Sequence, residues 1–258
     1  MELHSLSMSL PSAAPALLPH PTLSAYYAHP AEKSGFLRDI FDDTAQDYDQ
    51  IESLLSLGSG RWYRRQALRR AGLAVGMAVL DVAIGTGLVA REEVGIVGDS
   101  GRICGIDPSL GMLRRAAGML PIAPVLGRAE RLPFPPNQFD FLSMGYALRH
   151  MTDLRAALAE FYRVLRPGGR LCILEITPPA SHVGHWLLRA YMRQVVPLLT
   201  RIRTGRKSSQ LLWQYYWDTI EACLPAATVM AELGSAGFAS IARHVELGIF
   251  SEYTAVKS

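Results

Sequence analysis

The residues best placed to do chemistry in this 258-residue chain are Asp81-Val82-Ala83-Ile84-Gly85-Thr86-Gly87, together with Asp107. Asp81 sits in a short apolar run, Ala78 to Val82, that reads as a buried parallel strand running into a glycine turn. Glycines there let the backbone bend tightly and let a ligand approach with no Cβ in the way. A second run, Arg102 to Ile106, ends at Asp107, where a carboxylate can accept both hydroxyl hydrogens of a ribose. In open parallel sheets, ligands bind beyond the carboxyl ends of strands, at the point where strand order reverses. The pattern therefore predicts a nucleoside-cofactor site.

Two readings compete for it. Gly85-x-Gly87-x-x-Ala90 also fits the dinucleotide fingerprint, with Asp107 about twenty residues on, so a nicotinamide-dependent oxidoreductase is the alternative. Three features weigh against it. Asp81 lies inside the strand, where a carboxylate suits the α-ammonium of a cofactor that carries an amino acid. Leu132-Pro133-Phe134-Pro135 with Phe139-Asp140 has no role in a dinucleotide domain, nor has Pro167-Gly168-Gly169 with a terminal antiparallel pair. A catalytically inactive cofactor-binding protein is a further alternative.

The elements that must hold these residues alternate from about residue 60 onward. A helix over Arg61 to Ala71 precedes the first strand, another follows from about Leu88, and Pro108-Ser109 opens a third that runs to Gly118. Strands are predicted near Pro124 to Leu126, at Phe139 to Met144 and at Arg170 to Ile176. Asp153 caps a helix through Leu165, and Pro167-Gly168-Gly169 stops it and turns the chain. Such alternation implies βαβ units and a parallel sheet with helices on both faces. Ser240 to Glu246 and Ile249 to Lys257 read as an antiparallel pair at the sheet edge, joined at Gly248.

Composition narrows the class. Apolar residues make up 49% and charged ones 19%, which suits a soluble α/β domain with a large core. A net charge of +3 is too small to imply nucleic-acid binding. Cys104, Cys172 and Cys223 lie far apart, with neither zinc nor disulfide spacing, which suits a reducing cytoplasm. His182 and His185 form an HxxH pair with no third ligand nearby, so no metal is expected. Residues 1–35 are expected to form a disordered leader: the first thirty are rich in Pro, Ala, Ser and Leu, contain no Lys or Arg, and so lack the marks of a signal peptide or presequence. Residues 36–258 then make one domain carrying a helical cap over about 178–225.

Taken together, Asp81 to Gly87, Ala129-Glu130-x-Leu132-Pro133-Phe134-Pro135, Leu148-Arg149, Tyr162-Arg163-Val164-Leu165-x-Pro167-Gly168-Gly169-Arg170-Leu171 and Leu174-Glu175 carry a resemblance. So do Phe41, Ala45 and Tyr48-Asp49 near the start. The chain resembles the class I S-adenosylmethionine-dependent methyltransferases, most of all the ubiquinone and menaquinone biosynthesis C-methyltransferases. The resemblance implies a Rossmann-like seven-stranded, mostly parallel sheet with its last strand antiparallel. It also implies S-adenosylmethionine as cofactor and S-adenosylhomocysteine as product. Thr86 and Asp107 carry over as cofactor contacts, with Ala83, Gly85 and Gly87 in the loop, Ala129 at the adenine and Tyr48 closing over the cofactor. Arg128 stands where the family has Asn or Asp, Gly145 where it has Ser, and His150 where the quinone enzymes have Asn. The match weakens after Pro178, the region expected to select the acceptor.

The expected acceptor is a small aromatic or lipophilic molecule, a quinone precursor or similar natural product. A phenol or an acidic ring carbon must lose a proton on methylation, and His150 is the candidate base because imidazole titrates near neutrality. Arg149, always protonated, is expected to hold a phenolate; either residue could instead merely support the helix that begins at Asp153. From Ile176 to Trp217 there is no Asp or Glu, while Arg189, Arg193, Arg201, Arg203, Arg206 and Lys207 lie among apolar residues. That segment reads as a cap with solvated arginines, and alternatively as an interfacial helix making peripheral membrane contact. One or two of Trp213, Tyr215, Tyr216 and Trp217 are expected in the acceptor pocket.

Overall fold

A computed structural model describes residues 15–55 and 59–258. Seven strands form one sheet in the order β3-β2-β1-β4-β5-β7-β6. They are β1 (Ala78–Val82), β2 (Arg102–Asp107), β3 (Ala123–Leu126), β4 (Phe139–Gly145), β5 (Leu165–Ile176), β6 (Phe238–Glu246) and β7 (Phe250–Lys257). β1 through β5 are mutually parallel, and β7 runs antiparallel between β5 and β6. All five residues of β1 are buried, as a central strand covered on both faces requires. The chain builds outward from β1 to β3, then returns to β4 on the other side, so the switch in strand order falls between β1 and β4.

The helices of the sheet are α3 (Ser59–Arg70), α4 (Ala90–Val97), α5 (Leu110–Met119), α6 (Leu154–Val164) and α10 (Ala226–Ser235). Two begin on side-chain caps that the sequence announces. Ser109 Oγ accepts from the N–H of Met112 at 3.1 Å, and Asp153 Oδ1 accepts from those of Arg155 and Ala156 at 3.1 and 3.3 Å. Helices α1 (Lys33–Thr44) and α2 (Tyr48–Leu55) lie ahead of the sheet. The cap comprises α7 (His182–Ala190), a π-helical turn (Tyr191–Val195), α8 (Val196–Thr204) and α9 (Lys207–Ala222).

Two expectations need correction. Pro167-Gly168-Gly169 does not stop a helix ahead of a strand at Arg170: β5 already pairs with β4 at Leu165, and the glycines form a bulge within it, with Gly168 at φ +76°. The terminal hairpin lies at the sheet edge as expected: β7 pairs along β5 from Arg170 to Ile176, and β6 is outermost. Leu247 and Gly248, both at positive φ, make the tight turn that joins them.

The second concerns the leader. Its residues 1–14 lie outside the described residues, but 15–35 are packed against the molecule. Leu17 takes a bond from the N–H of Leu154 at 2.9 Å, and Pro19 one from the N–H of Leu224 at 2.8 Å. Tyr26 Oη donates to Asp218 on α9 at 2.6 Å, while Tyr27 packs with Leu37 and Tyr215. Adjacent tyrosines, rare in sequences that stay unfolded, were the available signal. The strap also buries His20, whose pKa is pushed down to about 4 by burial and by the Lys33 charge. The unfolded chain therefore binds the proton first, and this contribution to stability, whole above about pH 6.5, is lost as pH falls toward 4. His20→Gln is expected to flatten that part of the profile, measured as melting temperature against pH. Parallel wild-type and variant curves would remove His20 from it.

Candidate functional site

A cavity of about 310 Å³ opens at the carboxyl ends of β1, β2 and β4. Its walls include Tyr48, Asp81, Ala83, Gly85, Thr86, Asp107, Arg128, Ala129, Gly145 and His150, so ten of the twelve residues singled out from the sequence meet there. The two others stand outside it. Gly87, at φ +88°, faces α5, where an added Cβ would lie 2.7 Å from Leu120 Cδ1. It serves close packing of the loop on a helix rather than ligand approach. Gly85 is the open one, with nothing within 4 Å of the position a Cβ would take.

Asp107 organises the cofactor end. Its Oδ2 accepts from the N–H of Gly85 at 2.9 Å and its Oδ1 from that of Ser109 at 2.8 Å. Burial nevertheless pushes its pKa up to about 6, against the pull of those two N–H groups. Each oxygen retains a lone pair for a ribose hydroxyl. Ala83 holds φ +55°, a conformation that costs a Cβ-bearing residue on the order of 1–2 kcal/mol; Tyr146 just beyond β4 is at φ +60°. Such strained positions cluster where a fold holds a site open. Asp81 is buried, lines the cavity, accepts from Ser143 Oγ at 3.2 Å, and leaves Oδ2 without a partner among the described residues.

An orphaned carboxylate oxygen, a carboxylate with free lone pairs and a loop with room for a ligand together fit an amino acid joined to a ribose. Ala129 is buried beside them. Arg128 lines the mouth but is engaged elsewhere, its Nη2 donating to Thr152 Oγ1 at 2.6 Å while Glu130 takes the hydroxyl and N–H of Thr152 at 2.7 Å each. An added Cβ at Gly145 would lie 2.5 Å from Val89 Cγ2, so the serine the family has there could not be seated unless Val89 moved.

Two helices close the site from above, and the residues that pin them escaped the sequence reading. Asp49 on α2 accepts from Thr86 Oγ1 at 2.5 Å. Asp42 on α1 accepts from Ser109 Oγ at 2.5 Å and from the N–H of Gly111 at 2.8 Å. Lys33, at the start of α1, is buried and donates to the carbonyls of Arg149 and Met151 at 3.1 and 2.9 Å, bracketing His150. Burial pulls its pKa down to about 8. In sequence these are ordinary charged residues on helices, and no spacing distinguishes them.

The far end of the cavity is aromatic. Leu37, Phe41, Tyr48, Tyr216 and His150 line it. Tyr48 and Tyr216 share a hydrogen bond of 2.7 Å between hydroxyls, and Tyr48 stacks on Trp213. Of the four rings on α9, only Tyr216 reaches the cavity; Trp213, Tyr215 and Trp217 pack behind it. His150 stacks on Tyr215, meets Phe41 edge-on, and has no partner for either ring nitrogen. Burial first, then the charges of Arg149 and Lys33, hold its pKa well below the usual histidine range. It is therefore a neutral imidazole at pH 7.

Arg149 does not face the cavity, contrary to its expected contact with a phenolate. It is fully buried, ion-paired with Glu175, and lies 4.4 Å behind the Tyr216 ring. Its guanidinium supports the acceptor wall and adds a positive field to it. The cap arginines are corrected in part: Arg189 and Arg193 turn toward Glu221 and Asp218 on α9, and Arg206 toward Asp47. Asp218 and Glu221 lie just outside the stretch free of Asp and Glu, and Asp47 comes from the segment between α1 and α2.

Compared with known proteins, residues 30–257 match the ubiE/COQ5 methyltransferase family. The chain is 31% identical over 236 residues to the ubiquinone/menaquinone biosynthesis C-methyltransferase UbiE of Hahella chejuensis, covering 88% of this chain and 93% of that one. It is 34% identical over 195 residues to the demethylmenaquinone methyltransferase of Symbiobacterium thermophilum, covering 72% and 78%. Among solved structures it is similar to a SAM-dependent methyltransferase from Aquifex aeolicus, with TM-score 0.58, 21% identity and coverage of 81% and 98%. The Haemonchus contortus phosphoethanolamine N-methyltransferase 2 bound to S-adenosylhomocysteine gives TM-score 0.59 at 17% identity, covering 85% and 59%. These two likenesses concern the fold.

Asp107→Ala removes the carboxylate expected to take the ribose hydroxyls and frees two backbone N–H groups that shape the loops. Affinity for S-adenosylhomocysteine, measured by calorimetry, is expected to fall at least tenfold, the cost of about one charged hydrogen bond. Unchanged affinity would overturn the assignment of Asp107.

Proposed function

The chain belongs to the ubiE/COQ5 methyltransferase family and is an S-adenosylmethionine-dependent methyltransferase, and from that premise we propose how its own residues divide the work and what it methylates. Asp107 holds the ribose, Asp81 receives the α-ammonium, the Gly85-Thr86 turn lies along the amino-acid portion, and Ala129 lines the adenine pocket. Tyr48 closes over the reacting end. The cofactor, when bound, supplies a methyl group on a sulfonium that is already strongly electrophilic. The protein's task is chiefly to align an acceptor with it and exclude water, which makes an encounter of two molecules effectively unimolecular.

The acceptor is a flat, lipophilic aromatic ring bearing a hydroxyl, as in a hydroquinone precursor. The observation that carries this reading is the unpartnered imidazole of His150 in an aromatic wall beside Leu37, Phe41 and Tyr216. Polar groups buried among rings without partners are costly, so a ligand hydroxyl that bonds there gains both affinity and orientation. His150 accepts that hydroxyl's hydrogen bond, drawing electron density onto the ring. Because Arg149 and Lys33 disfavour the imidazolium, the residue works as a neutral acceptor rather than a readily protonated base. The same two charges favour an oxygen that becomes negative as its proton moves away. The curated relatives named above act, by their names, in quinone biosynthesis, which agrees with this acceptor class.

A second observation concerns access. Val183, Trp186 and Leu187 on α7 lie on one exposed face, at spacings of three and four residues, with Trp186 66% exposed. Leu198 and Ile202 on α8 are exposed as well. We propose that this face touches a lipid surface and lets the enzyme collect a lipophilic acceptor. No helix among the described residues is long and apolar enough to cross a membrane.

His150→Ala is expected to lower kcat at least about tenfold, the scale of losing one hydrogen bond to an oxygen that gains charge. Affinity for S-adenosylhomocysteine should stay within about threefold, because the cofactor is held by other residues. Wild-type kcat should show no inflection near pH 6.5, since His150 stays neutral there. Retained turnover in the variant would remove His150 from the chemistry. For the lipid contact, the protein should co-sediment with neutral and anionic liposomes alike, since several cap arginines are already paired. Trp186→Glu should abolish sedimentation; wild-type protein left in the supernatant would end that reading.

A further inference from the structure

Behind Asp81 lies a second carboxylate that the cofactor site as described does not use. Glu93, on α4, is fully buried, and neither of its oxygens has a hydrogen-bond partner among the described residues. Asp81 and Ser143 are register partners on β1 and β4, and the Ser143 hydroxyl lies between the two carboxyl groups, bonded to Asp81 Oδ1 at 3.2 Å. Asp81 Oδ2 is likewise unpartnered. Three buried carboxyl oxygens thus lack partners in one small volume, and a buried charge without a partner costs several kcal/mol as an order of magnitude.

Among the described residues, the groups that face the pair from the surrounding elements offer no cation. β2 presents Asp107, β4 Ser143, β5 the Cys172 thiol, and α4 the N–H of Ala90. The nearby arginines Arg61 and Arg65 go to the neighbouring Glu92 instead. Two carboxyls so placed cannot both ionise cheaply, since each penalises the charge of the other. Burial and this mutual repulsion raise Asp81 well above the carboxylate range, and burial raises Glu93 to about 7.

We propose that Glu93 belongs to the cofactor's amino-acid site as a positioning residue, sharing with Asp81 a proton that is expelled when the cofactor's α-ammonium arrives. In that step one carboxyl O–H bond breaks, its proton passes to solvent, and the ammonium keeps all its hydrogens. The ammonium replaces a bound proton as the positive charge that neutralises the pair. Cofactor affinity accordingly rises with pH up to about neutrality, a dependence set inside the site rather than by the acceptor. The inference rests on the placement of the ammonium at Asp81 argued above.

The test is calorimetry of S-adenosylhomocysteine binding at about pH 6.5, in buffers of different ionisation enthalpy, which reports protons released. Wild-type protein should release about half to one proton, falling toward zero by about pH 8.5, and its dissociation constant should weaken about three- to tenfold from pH 7 to 6. Glu93→Gln should release almost none at about pH 6.5. 5′-Methylthioadenosine, which carries the nucleoside but no ammonium, should bind with no release, which separates the pair from Asp107 at the ribose. Release by wild-type protein that is absent, or undiminished in Glu93→Gln, or equal with methylthioadenosine, overturns the proposal. Wild-type affinity in Asp81→Asn would instead show that the ammonium lies elsewhere, and the proposal would fall with that placement.

Discussion

Backbone N–H groups at the mouth of a parallel sheet have no strand left to pair with, and burying them unpaired costs about as much as a lost hydrogen bond. Here Asp107 takes two of them, from Gly85 after β1 and Ser109 after β2, and so ties the two loops that frame the crevice to one side chain. Much else follows from that bond pair. The loop after β1 keeps its positive-φ course through Ala83 and Gly85, and Ser109 stays free to cap α5 with its hydroxyl. Because Ser109 and Thr86 are held in place, Asp42 and Asp49 can reach them from α1 and α2. The helices that close the site are therefore fastened to the loops after β1 and β2 that frame the crevice.

What could be read in the sequence divides along physical lines. Strands and helices of the sheet were legible because their periodicity and caps are local: Ser109 and Asp153 announce their helices within a few residues. The cofactor end was legible because its chemistry is concentrated in one loop and one strand end. The acceptor end was less so, since α1, α2, the turn at His150 and α9 meet there from distant parts of the chain. Arg149 illustrates the limit. Sequence places it next to His150, but a 3₁₀ turn points adjacent side chains in different directions, and the guanidinium goes behind Tyr216 to Glu175. The strap was misread for a related reason, since Pro-, Ala- and Ser-rich composition describes average behaviour while a few buried tyrosines and His20 decide the outcome. Pro167-Gly168-Gly169 was read as a turn because a bulge and a turn draw on the same residues, and only strand pairing tells them apart.

The nicotinamide alternative loses its ground on topology. A dinucleotide domain of this type completes its sheet with parallel strands, whereas here β7 inserts antiparallel between β5 and β6. The glycine loop alone did not separate the two readings, since Gly85 and Gly87 satisfy both fingerprints. Their structural roles also differ from what a shared motif suggests: Gly85 leaves room at the cavity, while Gly87 lets α5 pack closely.

The cavity is polarised from end to end, and this links the cofactor to the acceptor more firmly than any single contact. At one end Asp81, Glu93 and Asp107 are buried with no cation paired to them, and at the other Lys33 and Arg149 place positive charge around a neutral His150. In a low-dielectric interior such fields act strongly and cost no reorganisation when charge moves. A cationic sulfonium compound is attracted to the first end and repelled by the second, so its orientation in the cavity is fixed by charge as well as by shape. An aromatic hydroxyl at the second end lies where loss of its proton is favoured and imidazolium formation is not. The proton must then pass to solvent rather than to His150, so Lys33, bonded to the carbonyls on either side of His150, helps to set the acidity of the acceptor.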